Sequence, residues 1–197
     1  MFTRRAALIA IAAGSAAVVV VVILAALVPR WRSPRPDGTA APPPAPVAAA
    51  GRKITATLYY VSEDGMSLVG VQREVAFGDA MIDQARFILE TQLGPAPPPQ
   101  ASAIPQGTTL RGLYLTDRGD AFVDLSNDAR AKHTGGAIDE LFTVYAIVNA
   151  LTVNLPAVKR VQILLDGREV DTLAGHVDLR HPLQKNLQWI KTEKDES

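Results

Sequence analysis

The chain predicts one mixed α+β (α/β) domain over residues 52–190, of order ββαββαβ(β), with two helices on one face of a mixed or antiparallel sheet. Three observations carry this. Residues 135–167 read as a helix apolar almost all round, then a buried strand, then a tight turn. Upstream, short apolar blocks are separated by Gly, Asp and Pro punctuation, the pattern of strands and turns. Two strand-strand-helix units precede the last strand, and packing both helices on one face is the economical arrangement.

Residues 54–61 have the β-branched and aromatic content of a strand, and Glu63-Asp64-Gly65 turns them toward a second strand at 68–77. Asp79 stands as N-cap of a helix whose Met81, Ile82, Ala85, Ile88 and Leu89 share a face. Gly94-Pro95 stops that helix, and a proline-rich loop runs on to Gly107. Residues 109–115 and 121–125 form a second strand pair, and 126–136 make an irregular crossing. The central helix places Ile138, Leu141, Phe142, Tyr145, Val148 and Thr152 on one stripe. No charge falls between Glu140 and Lys159, so the opposite face is apolar as well and the helix is expected to be buried. Residues 158–165 are the last buried strand, ending at the turn Asp166-Gly167 and a short return. The tail over 175–183 is expected as ordered loop on the sheet, with Leu187, Trp189 and Ile190 clamping its end and 191–197 frayed.

The 197 residues are neutral overall, yet residues 1–51 hold five arginines against Asp37 alone, so the remainder is acidic. Basic charge confined to a terminus is not a nucleic-acid face, and phosphate loops, dinucleotide fingerprints and basic-aromatic patches are absent. No nucleic-acid partner and no cofactor are expected. The chain has no cysteine, which removes disulfides, thiolate chemistry and lipid attachment through a cysteine.

Residues 6–28 carry no charge, and at about 1.5 Å per residue such a run spans the roughly 30 Å hydrocarbon layer. It is longer than the apolar region of a cleaved signal, about 7–15 residues, and reads as a retained transmembrane helix or signal anchor. Arginines flank both ends, so the positive-inside rule does not orient it. The expected arrangement is a single pass through the cytoplasmic membrane. Residues 1–5 lie inside and the C-terminal domain outside, since long domains translocate largely regardless of charge. Residues 29–51, rich in Pro and Ala, form a semi-rigid spacer.

Six phrases in order cover nearly the whole domain: Ala103-Ile104-Pro105-Gln106-Gly107-Thr108; Ala121-Phe122-Val123-Asp124-Leu125-Ser126; Gly135-Gly136 with Glu140; Val148-Asn149-Ala150-Leu151-Thr152; residues 158–167; and Leu173-Ala174-Gly175-His176-Val177-Asp178. Together they resemble the GerMN domain, a module of bacterial cell-envelope proteins. The resemblance implies an extracytoplasmic α/β module, often behind a signal or lipid anchor and sometimes beside peptidoglycan-binding or amidase domains. It also implies binding or assembly without an established catalytic residue. This sequence departs by lacking a lipobox cysteine and by holding one copy of the domain, and the resemblance does not carry sporulation with it.

The candidate structural or functional residues are Asp124, Ser126, Gly135, Gly136, Glu140, Asn149, Asp166, Gly167, Gly175, His176 and Asp178. Ser126, His176 and Asp178 have the residue types of a hydrolase triad, but Ser126 lacks the Gly-x-Ser-x-Gly elbow, and a strand-end hydroxyl bonding a local turn is the preferred reading. His176-x-Asp178 with His133 and His181 has metal-ligand types without tetrahedral spacing, so no metal is expected. Glu140 lies early in the central helix, where the dipole and free amides favour a carboxylate. Asn149 sits among apolar residues and is expected to bond loop backbone, because an unpartnered buried amide costs roughly 1–3 kcal/mol. Trp189 and the loop over 94–106 are candidate contact surfaces, with Trp189 read first as a cover for the sheet.

These readings point to a non-catalytic envelope module, held to the membrane by its N-terminal helix and meeting an envelope protein or peptidoglycan. The alternative is a peptidoglycan-acting enzyme or enzyme accessory using His176 and Asp178. Self-association through a strand edge at 158–165 is a further expectation.

Overall fold

The computed structural model describes residues 51–191. The expected N-terminal tail, the membrane helix, residues 29–50 of the spacer and residues 192–197 lie outside the described residues. Among the described residues no helix is long and apolar enough to cross a membrane.

The first two strands, β1 (Lys53–Val61) and β2 (Leu68–Ala76), form a nine-residue antiparallel hairpin with Lys53 opposite Ala76 and Val61 opposite Leu68. Helix α1 (Met81–Leu93) follows. Then come β3 (Leu110–Leu115), β4 (Asp120–Leu125), a short helix α2 (Asp128–Ala131), the central helix α3 (Ala137–Asn154), and β5 (Arg160–Leu165). Two-residue strands β6 (Arg168–Glu169) and β7 (Leu183–Gln184) complete the order. The fold is mixed α+β, as expected, with two departures in its parts. One turn of helix, α2, sits in the crossing over 126–136, and the strands make two sheets instead of one.

The first sheet is β1-β2 alone; the second has the order β3-β4-β5-β6, with β7 also on β5. Pairing is antiparallel except between β4 and β5, which run parallel in the register Asp120 to Arg160 through Leu125 to Leu165. The sheets stay separate because the outer edge of β1 is closed by side chains. Thr57 N–H donates to Asn154 Oδ1 (2.8 Å) and Asn154 Nδ2 donates back to Thr57 O (2.7 Å). Tyr59 makes the same exchange with Gln92, at 2.8 and 2.7 Å. Val61 pairs with Ala101 through two backbone bonds. Each amide imitates the N–H and C=O of a neighbouring strand, which satisfies an edge that would otherwise recruit one.

The core lies where α3 meets both sheets. From Phe142 to Thr152 every residue of α3 except Tyr145 is buried, the all-round burial that its lack of charge implies. Leu113, Val123 and Ile163 form one cross-strand row facing it, with Leu125 and Leu165 as the next. Ile138, placed on the apolar stripe by its spacing, is 46% exposed, because it precedes the turn at which α3 enters the core.

Other local expectations are also corrected. Ala80, not Asp79, is the N-cap of α1, and no side chain caps it. The Asp79 carboxylate takes Arg52 instead (3.0 Å), while Gly78 N–H donates to Gln84 Oε1 (3.0 Å). Met81 is 48% exposed and the buried face of α1 includes Gln84 and Gln92, whose amides bond strand backbone. Leu187 is exposed, whereas Trp189 and Ile190 pack on the core. The strand edge at 158–165 offered for self-association is occupied: β4 lines one side of β5, and β6 and β7 share the other.

Candidate functional site

The polar residues of α3 decide how its surroundings are held. Four of them face four different segments of chain. Glu140, fully buried, accepts from the backbone N–H of Leu173 (2.8 Å), Ala174 (2.9 Å) and His176 (2.7 Å), and its Oε2 lies 3.1 Å from His176 Nδ1. Thr143 Oγ1 reaches the Ala103 carbonyl at 2.5 Å and the Asp139 carbonyl at 2.9 Å. Asn149 exchanges two bonds with the backbone of Asn186, at 2.7 and 3.0 Å. Asn154 closes the β1 edge.

Glu140 therefore sits in a nest of amides, though not of its own helix N-terminus as its position suggested. Burial alone would raise its pKa, but the amides of Ala174, His176, Leu173 and Val177 outweigh this and hold it below the usual glutamate value. The segment over 172–180 is fixed by more than the carboxylate. Arg130 donates to the carbonyls of Thr172 and Leu173, Gln162 Nε2 donates to Leu179 O, and the side chain of Leu179 is buried. Gly175, at φ 100°, makes the left-handed bend that turns both flanking amides inward.

The remaining candidates fall into separate groups. Asp124, Asp166 and Gly167 come together at the end of the second sheet. Asp124 Oδ1 accepts from Gly167 N–H (2.7 Å), and Arg111 lies 3.5 Å from Asp124 and 2.8 Å from Asp166. Asp166 and Gly167 both have positive φ, which is the geometry of a tight two-residue hairpin turn. Gly135 and Gly136, at φ 86° and 90°, bend the chain into α3. Ser126 Oγ accepts from Thr109 N–H (3.1 Å) at the end of β4.

Asp178 pairs with Arg180 through two bonds, 2.9 and 2.7 Å, and that guanidinium holds the carboxyl well below its ordinary range. Ser126, His176 and Asp178 thus bond Thr109, Glu140 and Arg180, and no bond links any two of them. Among the described residues no three His, Asp or Glu side chains are grouped so as to hold a metal ion.

The open feature of this region lies beside part of the loop over 94–106, a contact surface expected from the sequence, and is completed by residues that were not, Lys132, Asp139 and Thr143. A cleft of about 440 Å³ lies between the segment over 101–106, residues 132–134 and the first turns of α3. His133 helps to set its shape. Gly135 N–H donates to Nδ1 (3.0 Å), which fixes the proton of the neutral ring on Nε2, and Nε2–H faces Thr143 Oγ1 at 3.2 Å. The Thr143 hydroxyl passes that order on to the Ala103 carbonyl. The signal for Thr143 was the one used for Asn149, a polar residue in an apolar helix, applied three residues beyond Glu140. His133 was weighed from the sequence only as a metal-ligand type, and its bonds to Gly135 and Thr143 had no spacing to mark them.

The family model described as Germane, sporulation and spore germination, matches residues 57–171. Among solved structures the chain is similar to the tandem GerMN domains of the sporulation protein GerM from Bacillus subtilis, with TM-score 0.51 and 16% identity over 69% of this chain and 46% of that one. It is also similar to the first GerMN domain of the same protein, with TM-score 0.49 and 20% identity over 68% and 96%. A third is a Clostridium perfringens protein provisionally called a lipoprotein, with TM-score 0.48 and 23% identity over 68% and 88%. No curated protein matches the chain.

Proposed function

The chain belongs to the Germane family, of GerMN type, and from that premise we propose that it is a non-catalytic, membrane-tethered binding module of the cell envelope. One observation carries the reading. Each of the three residues with the types of a hydrolase triad is tied to a structural partner: Ser126 to Thr109, His176 to Glu140, Asp178 to Arg180. What stays open is a cleft beside loop backbone, which is where recognition sits on a rigid scaffold. The uncharged run over 6–28 supports a single-pass anchor in the cytoplasmic membrane, and the spacer over 29–51 supports a domain held clear of the bilayer on its outer side. The partner is an envelope protein or wall polymer.

The test has two arms. Full-length protein, crosslinked in place in intact cells, is expected to yield an adduct with an envelope protein or wall material. The same protein incubated with purified cell wall is expected to release no soluble fragments. Release abolished by His176→Ala, or the absence of any specific adduct, overturns the reading.

A further inference from the structure

Two segments of the domain border α3 near its N-terminus, and they differ in what their backbone lacks. The backbone over 173–177 is bonded by Glu140. Over 101–106 only part of the backbone has partners. Ala101 pairs with Val61, the Ser102 hydroxyl bonds Ile104, and the carbonyls of Ala103 and Pro105 accept from Thr143 and Thr108. The N–H groups of Ser102 and Ala103 and the Ser102 carbonyl bond nothing among the described residues. The Ser102 groups follow directly on Ala101, which is paired with Val61, and by strand alternation they face away from it; both residues border the cleft.

The facing wall carries charge of both signs. Asp139 is exposed; its Oδ2 has a long 3.4 Å contact from Thr134 Oγ1, and its carboxylate has no cationic partner among the described residues. Lys132 shares Asp128 at 3.2 Å with both side chains well exposed. Such a surface pair is worth little, so the ammonium remains available to a ligand carboxylate. The aromatic residue of the lining, Phe142, is 1% exposed and offers no ring face on which a sugar would stack. Ala101, Ser102 and Ala103 are small enough for close backbone approach.

We propose that this cleft binds a short extended peptide with a free amino group and a free carboxylate, the chemistry of the stem peptides of bacterial cell wall. This rests on the binding-module reading and narrows it from wall polymer to the peptide part of that polymer. The peptide backbone pairs with the unbonded N–H and C=O of Ser102, the two-bond exchange of one residue with a facing strand. Its amine faces Asp139 and its carboxylate faces Lys132. The volume lies within the roughly 300–1,000 Å³ usual for small-ligand sites.

The probe is a synthetic stem tetrapeptide with free amino and carboxyl groups and no sugar, titrated calorimetrically into the full-length protein. Saturable binding is expected. Asp139→Asn is expected to weaken it about tenfold, the scale of one charge-assisted bond. The same peptide acetylated and amidated is expected to bind the unaltered protein comparably weakly, so the result does not depend on the folding of a variant.

No saturation with the free peptide, unchanged affinity in Asp139→Asn, or displacement of the peptide by a peptide-free chitin tetrasaccharide overturns the assignment. Retention of the protein on intact wall, or an adduct with an envelope protein, in the face of such a result sinks the peptide cleft alone. Loss of all of these sinks the binding-module reading with it.

Discussion

The segments over 101–106 and 172–180 are both loops outside the long strands, and both reach α3 within one turn of each other. They differ in the side chain that meets them. Glu140 presents two carboxylate oxygens, which accept three backbone N–H bonds and close one segment. Thr143 presents one hydroxyl, which grips a single carbonyl and leaves neighbouring amides of the other segment free. A buried helix can thus fix one loop and leave the next partly open through the choice of two polar residues three positions apart.

The comparison breaks most visibly at Glu140. Glu140→Gln places amide hydrogens against backbone donors in a site closed to water, and a loss of about 3 kcal/mol is expected in urea unfolding. The pH dependence has a defined sign. The folded-state pKa is lowered, so the carboxylate contributes stability above its unfolded value of about 4.3 and loses that contribution as pH falls below it through the folded value. Wild type is expected to lose stability below about pH 4.3, with a shallower decline in the variant. Equal slopes would remove Glu140 as the acid-sensitive clamp.

Next in size is Asn149→Leu, which leaves the N–H and C=O of Asn186 without their partner. The cost is about 2 kcal/mol, read as a clear drop in the melting temperature. An unchanged midpoint would mean that water replaces the amide. Thr143→Val sharpens the contrast directly. It is expected to cost about 1 kcal/mol and to speed hydrogen exchange at residues 101–106 while leaving 173–177 protected. Uniform acceleration would show that the two segments are one unit.

Smallest is His176→Ala. The ring is half-exposed and the backbone amide of residue 176 keeps its bond to Glu140, so stability is expected to move by less than about 0.5 kcal/mol. A larger loss would assign the ring part of the clamp.

Much of the fold was legible because it rests on period and punctuation. The hairpin of β1 and β2, the helix boundary at Gly94, the strand before Asp166-Gly167 and the burial of α3 all follow from apolar spacing and turn residues. The separation into two sheets was not legible. It depends on Gln92 and Asn154, whose amides stand in for a strand, and nothing local distinguishes them from solvent-facing amides. β7 has only two residues and owes its pairing to the exposed end of β5, so no pattern announces it.

At the candidate site, Asn149 was readable because a lone amide in an apolar helix demands a partner. Glu140 was readable as a carboxylate with amide donors, but which donors was not, since residues 173–177 are brought to it by the whole sheet. Of the cleft only one wall, in the loop over 94–106, was readable, because the rest belongs to no one element. It is the space left where three segments meet.

The sealing of β1 has a consequence for the order in which the chain is made. Asn154 follows Thr57 by 97 residues and Gln92 follows Tyr59 by 33. A chain that emerges N-terminus first therefore carries a bare strand flank through most of its synthesis, and the last stitch arrives with the end of α3. During that interval the hairpin has the adhesive flank that the finished protein hides. A helper that shields nascent strands would matter most then, and a truncation before Asn154 would turn out a sticky product instead of a weakened one.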